Sequence, residues 1–89
     1  MVKFKVSGDA KEFDITYKCK AGKACQDMNA SSGWTQTYRA CIGDYVYCSA
    51  QANKKGGKVN VDIYFNGEHF RTASQQGDYA VATASGILV

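Results

Sequence analysis

Four cysteines, Cys19, Cys25, Cys41 and Cys48, are the side chains best able to do chemistry in this chain. An even number of thiols in a small domain fits two disulfides and an oxidising compartment. The competing readings are a metal site or four buried thiols in a reducing one. The intervals of five, fifteen and six residues contain no CxxC knuckle, and only one histidine accompanies them, so no structural zinc motif is visible. Four cysteines allow three pairings. The local scheme, Cys19 with Cys25 and Cys41 with Cys48, is preferred because Cys19 and Cys25 flank a turn whose ends must already meet. Loops this short contribute about 2–2.5 kcal/mol each through chain entropy. The long alternative ties Cys19 to Cys48, two inward residues on different strands.

His69 is the only imidazole. General-base catalysis needs a nucleophile in reach and an orienting carboxylate. Its neighbour Glu68 points to the opposite face of a strand and cannot orient the ring directly. Glu12 and Asp14 share one strand face, as a glycosidase pair could, but exposed strand carboxylates ordinarily serve solubility. The chain has no phosphate-binding glycine loop, no HExxH and no GxSxG. A non-enzymatic protein with neither cofactor nor metal is the expectation.

The aromatic residues point to binding instead. Tyr45 and Tyr47 alternate with Val46 and Cys48, so one sheet shows tyrosines to solvent, and Tyr64 is expected to join them from a later strand. An exposed aromatic strip marks a recognition surface. The same residues would also serve as cross-strand pairs, each stabilising a sheet by about 0.2–1 kcal/mol. Lysines cluster at two turns, Lys18, Lys20 and Lys23, then Lys54, Lys55 and Lys58. Turn lysines are usually solvated tips, and a formal net charge of +3 is ordinary. A single-strand nucleic-acid-binding barrel would need a basic face interleaved with aromatics, so nucleic acid is not the expected partner.

Strands must position all of these residues. No segment has the i, i+3, i+4, i+7 spacing of an amphipathic helix, whereas period-two alternation recurs throughout. Val2, Phe4 and Val6 alternate with lysines and a serine; Met1 therefore leads into a strand and not into a leader peptide. Phe13, Ile15, Tyr17 and Cys19 share the inner face of a second strand, and Ala21 and Gly22 turn it toward a short strand at Lys23–Asp27. Asn29–Gly33 reads as a loop, Trp34–Ala40 as a strand, and Tyr45–Gln51 as a strand with Cys48 inward. Lys58–Phe65 alternates cleanly and ends at Asn66-Gly67, a strong short hairpin signal because both central residues of a type I′ turn need positive φ. Glu68–Ala73 returns, Ser74–Gly77 reads as a polar turn, and Asp78–Ala84 as the last strand. Eighty-nine residues, 45% of them hydrophobic and none proline, make one domain spanning residues 1–89. About seven short strands fit a small antiparallel β-sandwich, immunoglobulin-like, with a closed barrel as the alternative. No run approaches the ~18 apolar residues of a membrane-spanning helix.

Several segments taken in order, Phe4–Gly8, Asp14–Tyr17, Tyr47–Gln51, Val59–Gly67 and Ala82–Leu88, resemble the soluble domain of the MmpS family. These are small membrane-anchored accessory proteins of RND-type MmpL transporters, and related small bacterial lipoproteins look similar. Ser32-Gly33-Trp34 stands where that family usually has Leu-Pro-Trp. The resemblance implies a β-sandwich outside the cytoplasmic membrane, periplasmic or at the cell surface. It further implies a tether outside this sequence and a membrane or envelope protein, such as a transporter, as partner. A secreted disulfide-stapled effector or inhibitor is the alternative.

Overall fold

Alternation is what builds the molecule. The computed structural model describes residues 1–20 and 23–89, with Lys20 described by its backbone alone. The turn expected at Ala21-Gly22 lies outside the described residues. Among them are eight strands: β1 (Val2–Gly8), β2 (Phe13–Lys20), β3 (Lys23–Ala30), β4 (Trp34–Tyr38), β5 (Tyr45–Ala52), β6 (Gly57–Phe65), β7 (Glu68–Gly77) and β8 (Val81–Ile87). They form two four-stranded antiparallel sheets, ordered β4-β1-β6-β7 and β3-β2-β5-β8. The sandwich is therefore as expected, with eight strands in place of about seven. Its likeness to immunoglobulin domains is one of architecture, since β1 and β2 lie in different sheets here, whereas the first two immunoglobulin strands share one.

The four inner strands supply most of the core. Val2, Phe4 and Val6 of β1, Ile15 of β2, Val46 and Cys48 of β5 and Val61 and Ile63 of β6 are fully buried, and among the described residues no buried one is polar or charged. Every second residue on these strands is withdrawn from water, at roughly 25 cal/mol per Å² of apolar surface. Each sheet's inner face thereby becomes the wall of one core. The edge strands β3, β4 and β7 contain no fully buried residue, which is why their sequences read as mixed. A run of aromatic contacts crosses the sandwich: Tyr38 to Phe4 at 5.5 Å, Phe4 to Tyr17 at 6.0 Å and Tyr17 to Trp34 at 5.1 Å between ring centroids. Trp34 Nε1 donates to Asp27 Oδ2 at 2.8 Å, joining edge strand β4 of one sheet to β3 of the other.

Several boundaries differ from the sequence reading: β4 ends at Tyr38 and not at Ala40, the last strand is Val81–Ile87 and not Asp78–Ala84, and two segments read as turn or loop are drawn into strands. The polar stretch Ser74–Gly77 is strand, because β6 offers Gly57–Asn60 as a pairing template and an edge strand needs no apolar side chain to use it. The turn lies later, at Asp78-Tyr79, where Asp78 Oδ1 accepts from the Gly56 N–H at 2.8 Å and Tyr79 N–H donates to the Lys54 carbonyl at 3.0 Å. Asn29 is strand as well as bulge. Its φ of 59° falls at the register shift between Phe13 and Ile15, and its N–H donates to Asp14 Oδ1 at 3.3 Å. Asn tolerates that left-handed conformation better than most residues. The expected Asn66-Gly67 hairpin is present, with φ of 51° and 83°.

Candidate binding surface

The outer face of the β3-β2-β5-β8 sheet collects apolar side chains that folding leaves in water. On β5, Val46, Cys48 and Ala50 point into the core, so Tyr45 and Tyr47 point out. Their rings lie 6.1 Å apart at 37°. With Lys18 of β2 and Lys23 and Ala24 of β3 they line a shallow hollow of about 320 Å³. The Lys18 ammonium donates to the Tyr45 carbonyl, which holds this cation at the hollow's margin. Ile87 of β8 pairs with Tyr45 and Ser85 with Tyr47. Ile87 is 55% exposed and Tyr45 49%, and Met28 and Val81 are further exposed apolar residues of the same sheet. Scattered exposed hydrophobics are without consequence, and Met28 and Val81 lie at the far end of the sheet, Val81 opposite Gln51. Tyr45, Tyr47 and Ile87, grouped beside Lys18 and Lys23, form the recognition feature. Lys18 and Lys23, read from sequence as loop tips, are strand residues of this surface. Val81 and Ile87 were not singled out at all. The available signal was that β8 contains no charged residue.

Tyr64 does not join this strip. It is on β6, which belongs to the other sheet, and sequence alternation could assign it to an outer face but not to which one. There it is half-buried, lines a hollow of about 480 Å³ with Met1, Lys3, Lys5 and Thr37, and meets the His69 ring edge-on at 5.2 Å. His69 has a carboxylate partner that adjacent-residue reasoning missed, because it comes from the neighbouring strand. Asp62 Oδ1 is 3.1 Å from His69 Nε2 and also accepts from Thr72 Oγ1 at 2.8 Å. Both groups converge on the carboxylate, and the hydroxyl is committed to Asp62 and not to the imidazole. The arrangement ties β6 to β7 and does not activate Thr72 as a nucleophile. Glu12 and Asp14 take different environments: Asp14 Oδ1 accepts from the Asn29 N–H and from Asn53 Nδ2, while Glu12 is exposed.

Of the two local disulfides, one is formed. Cys19 and Cys25 are bridged, with Cα atoms 5.7 Å apart across the β2–β3 hairpin. The closed loop is short and contributes about 2 kcal/mol through chain entropy. Such a bond fits an oxidising compartment. The expected Cys41–Cys48 bond is a correction, since both are free thiols. Cys48 points into the core from the middle of β5, whereas Cys41 sits in the exposed turn before that strand, with its N–H bonded to Asp44 Oδ2 at 2.9 Å. Closeness in sequence does not aim the two sulfurs at each other. Native protein alkylated without reductant is expected to take up one equivalent of iodoacetamide, at Cys41, and a second only in denaturant. Uptake of none under denaturing conditions would restore a second disulfide.

Burial also raises the Cys48 thiol to about 12. Tyr38 is likewise raised to about 12, by burial first and then by Asp44 and Cys48. Both groups are held in their neutral, protonated form. Their folded values lie above the unfolded ones, so the unfolded chain releases these protons first as pH rises. Stability is complete below about pH 9 and is lost as pH climbs toward the folded value of about 12. Melting temperature is expected to fall between about pH 9 and 11 in wild type, and to fall less in Cys48→Ala relative to that variant's own neutral value. An unchanged slope would mean that Cys48 does not set it.

The two lysine clusters sit at opposite ends of β5, since β2 runs antiparallel to it with Tyr17 opposite Cys48 and Phe13 opposite Ala52. They do not merge into the single basic stripe that a nucleic-acid strand would track. No family model matches the chain, and no curated protein is significantly similar to it. The surface itself therefore carries the functional reading.

Proposed function

We propose that this protein is a non-enzymatic extracytoplasmic binding module whose recognition surface is the outer face of the β3-β2-β5-β8 sheet around Tyr45 and Tyr47. The observation that carries the reading is the grouping of Tyr45, Tyr47 and the exposed Ile87 at one end of that sheet, beside Lys18 and Lys23. Tyrosines give large contact area at low entropic cost. The flanking Lys18 and Lys23 favour a protein segment that presents an apolar anchor beside a carboxylate. The Cys19–Cys25 disulfide supports an oxidising location, and the resemblance to MmpS proteins supports a tethered accessory role beside an envelope or membrane protein such as a transporter.

The Tyr45→Ser/Tyr47→Ser double variant is expected to bind its partner at least about tenfold more weakly, as loss of central aromatic anchors does. The same variant should lose only about 1 kcal/mol of stability, because both rings are partly in water already. The check is a photo-crosslinking residue at Ser49, on the same outer face, compared with one at Asn60 on the other sheet. Adducts with an envelope protein should form from position 49, be absent from position 60, and vanish in the double variant. Equal capture from both positions, or capture unaffected by the tyrosine changes, would overturn the assignment.

A further inference from the structure

We propose that the protein forms a two-fold homodimer in which β8 pairs antiparallel with β8 of a second copy, centred on Ala84. Four strands lie at the sheet edges, and three of them carry features that discourage pairing with another chain. Edge strand β3 bears Lys23 and Asp27 and two register shifts, β4 is only five residues long, and β7 bears Glu68, His69 and Arg71 with a further shift opposite it. Charges, bulges and shortness are the devices that blunt an edge. Strand β8, Val-Ala-Thr-Ala-Ser-Gly-Ile, has none of them: seven residues, no charge, no proline and an unshifted register with β5.

The hydrogen-bond phase of β8 selects one register. Ala52 N–H donates to the Ala80 carbonyl and Leu88 N–H to the Asp44 carbonyl, both at 2.9 Å, so the even-numbered residues of this segment spend their backbone groups on β5. Alternation leaves the N–H and C=O of Val81, Thr83, Ser85 and Ile87 directed at the open edge. A two-fold axis through Ala84 sets Val81 against Ile87 of the second copy and Thr83 against Ser85 of the second copy. All four residues then fall at positions that exchange both of their bonds. Registers centred one residue to either side strand Val81 or Ile87 without a counterpart.

Side chains agree with the backbone. Val81 and Ile87, 49% and 55% exposed, are the two large apolar residues of β8, and they stand equally far from Ala84, so the axis brings each onto the other. Contact of this kind is isologous and closes at two copies. The β5 neighbours on that face, Tyr45, Tyr47, Ser49 and Gln51, are uncharged, so no like charges are brought together. On the inner side Gly86 accommodates the Phe70 ring and Arg71, to which a Cβ would come within 3.0 to 3.2 Å, so β7 packs beneath β8, which pairs with β5 alone and is an edge of its sheet. The product is one continuous eight-stranded sheet, with the two tyrosine pairs on the same side and about 20 Å apart, three strand spacings across and four residues along the strands. The self-association itself does not depend on the binding reading, which it extends to a bivalent surface.

The test is sedimentation equilibrium of the full chain carrying Cys41→Ser, so that no intermolecular disulfide can imitate the contact. A mass near twice the 9.7 kDa of one chain is expected. Val81→Lys and Ile87→Glu, both at exposed positions, should each weaken association at least tenfold. Their combination should restore it, because the new ammonium and carboxylate face each other only in the register centred on Ala84. Thr83→Pro, which removes an edge N–H that the monomer does not use, should give monomer with an unchanged circular dichroism spectrum. Monomeric wild type up to about 1 mM, the range of the weakest specific contacts, would overturn the proposal. So would a dimer indifferent to the single charge variants. Tyr45→Ser/Tyr47→Ser should leave the mass unchanged, so undiminished partner capture by that variant with an intact dimer would count against the binding surface alone.

Discussion

Phe4→Ala is expected to cost about 3–5 kcal/mol, the range for deleting a fully buried phenylalanine ring. Phe4 is at the centre of β1, has no exposed surface, and contacts Tyr17 of the facing sheet and Tyr38 of its own. Its loss would open a cavity between the two sheets and remove two ring contacts at once. A chain of 89 residues has a total stability of roughly 4–13 kcal/mol at the usual value per residue, so much of the folded state's margin goes with this side chain. Urea denaturation should show a large fall in midpoint with little change in slope. A loss below about 1 kcal/mol would mean that the aromatic run through the core is not what couples the sheets.

Gly8→Ala is expected to be nearly as damaging, by about 3 kcal/mol, because overpacking here is against backbone. A Cβ at Gly8 would enter the van der Waals shell of the Lys58 carbonyl oxygen and lie 3.0 Å from the carbonyl carbon and 3.1 Å from Phe13 Cζ. The same carbonyl accepts the Asp9 N–H at 3.2 Å, and Gly8 pairs with Val59, so relief would pull the end of β1 away from β6. Gly67→Ala is the control. Its φ is also positive, at 83°, but nothing lies within 4 Å of the added carbon. It should show only the conformational cost of about 1–2 kcal/mol. At 4–8 °C per kcal/mol for a domain of this size, thermal melts separate the two variants. Equal losses would mean that φ, and not the carbonyl contact, is what reserves position 8 for glycine.

The two sides of the sandwich show how the face of a strand was readable while its neighbours were not. On one side Trp34 reaches from β4 to Asp27 on β3; on the other Gly86 of β8 receives Phe70 of β7. Neither contact has a local signature. Trp34 and Asp27 are ordinary strand residues until the chain has folded, and Gly86 looks like a turn glycine. The same holds for Asp62, which meets His69 only because β6 and β7 pair with a register shift between Ile63 and Tyr64.

Period-two alternation made the all-β class, the sandwich and the burial of Val2, Phe4, Val6, Ile15 and Cys48 legible from the residues alone, because successive strand side chains must point to opposite faces. The Asn66-Gly67 hairpin and the Cys19–Cys25 bridge were legible for a related reason: both are closed by residues a few positions apart. Everything that depends on which strand lies beside which was decided by the tertiary structure. That includes Tyr64 on the sheet opposite Tyr45 and Tyr47, Cys48 turned away from Cys41, the polar segment Ser74–Gly77 drawn into β7, and β8 left at an edge. A strand carries its inward and outward pattern within itself, but its partners are chosen by hydrogen bonds and packing across the whole chain.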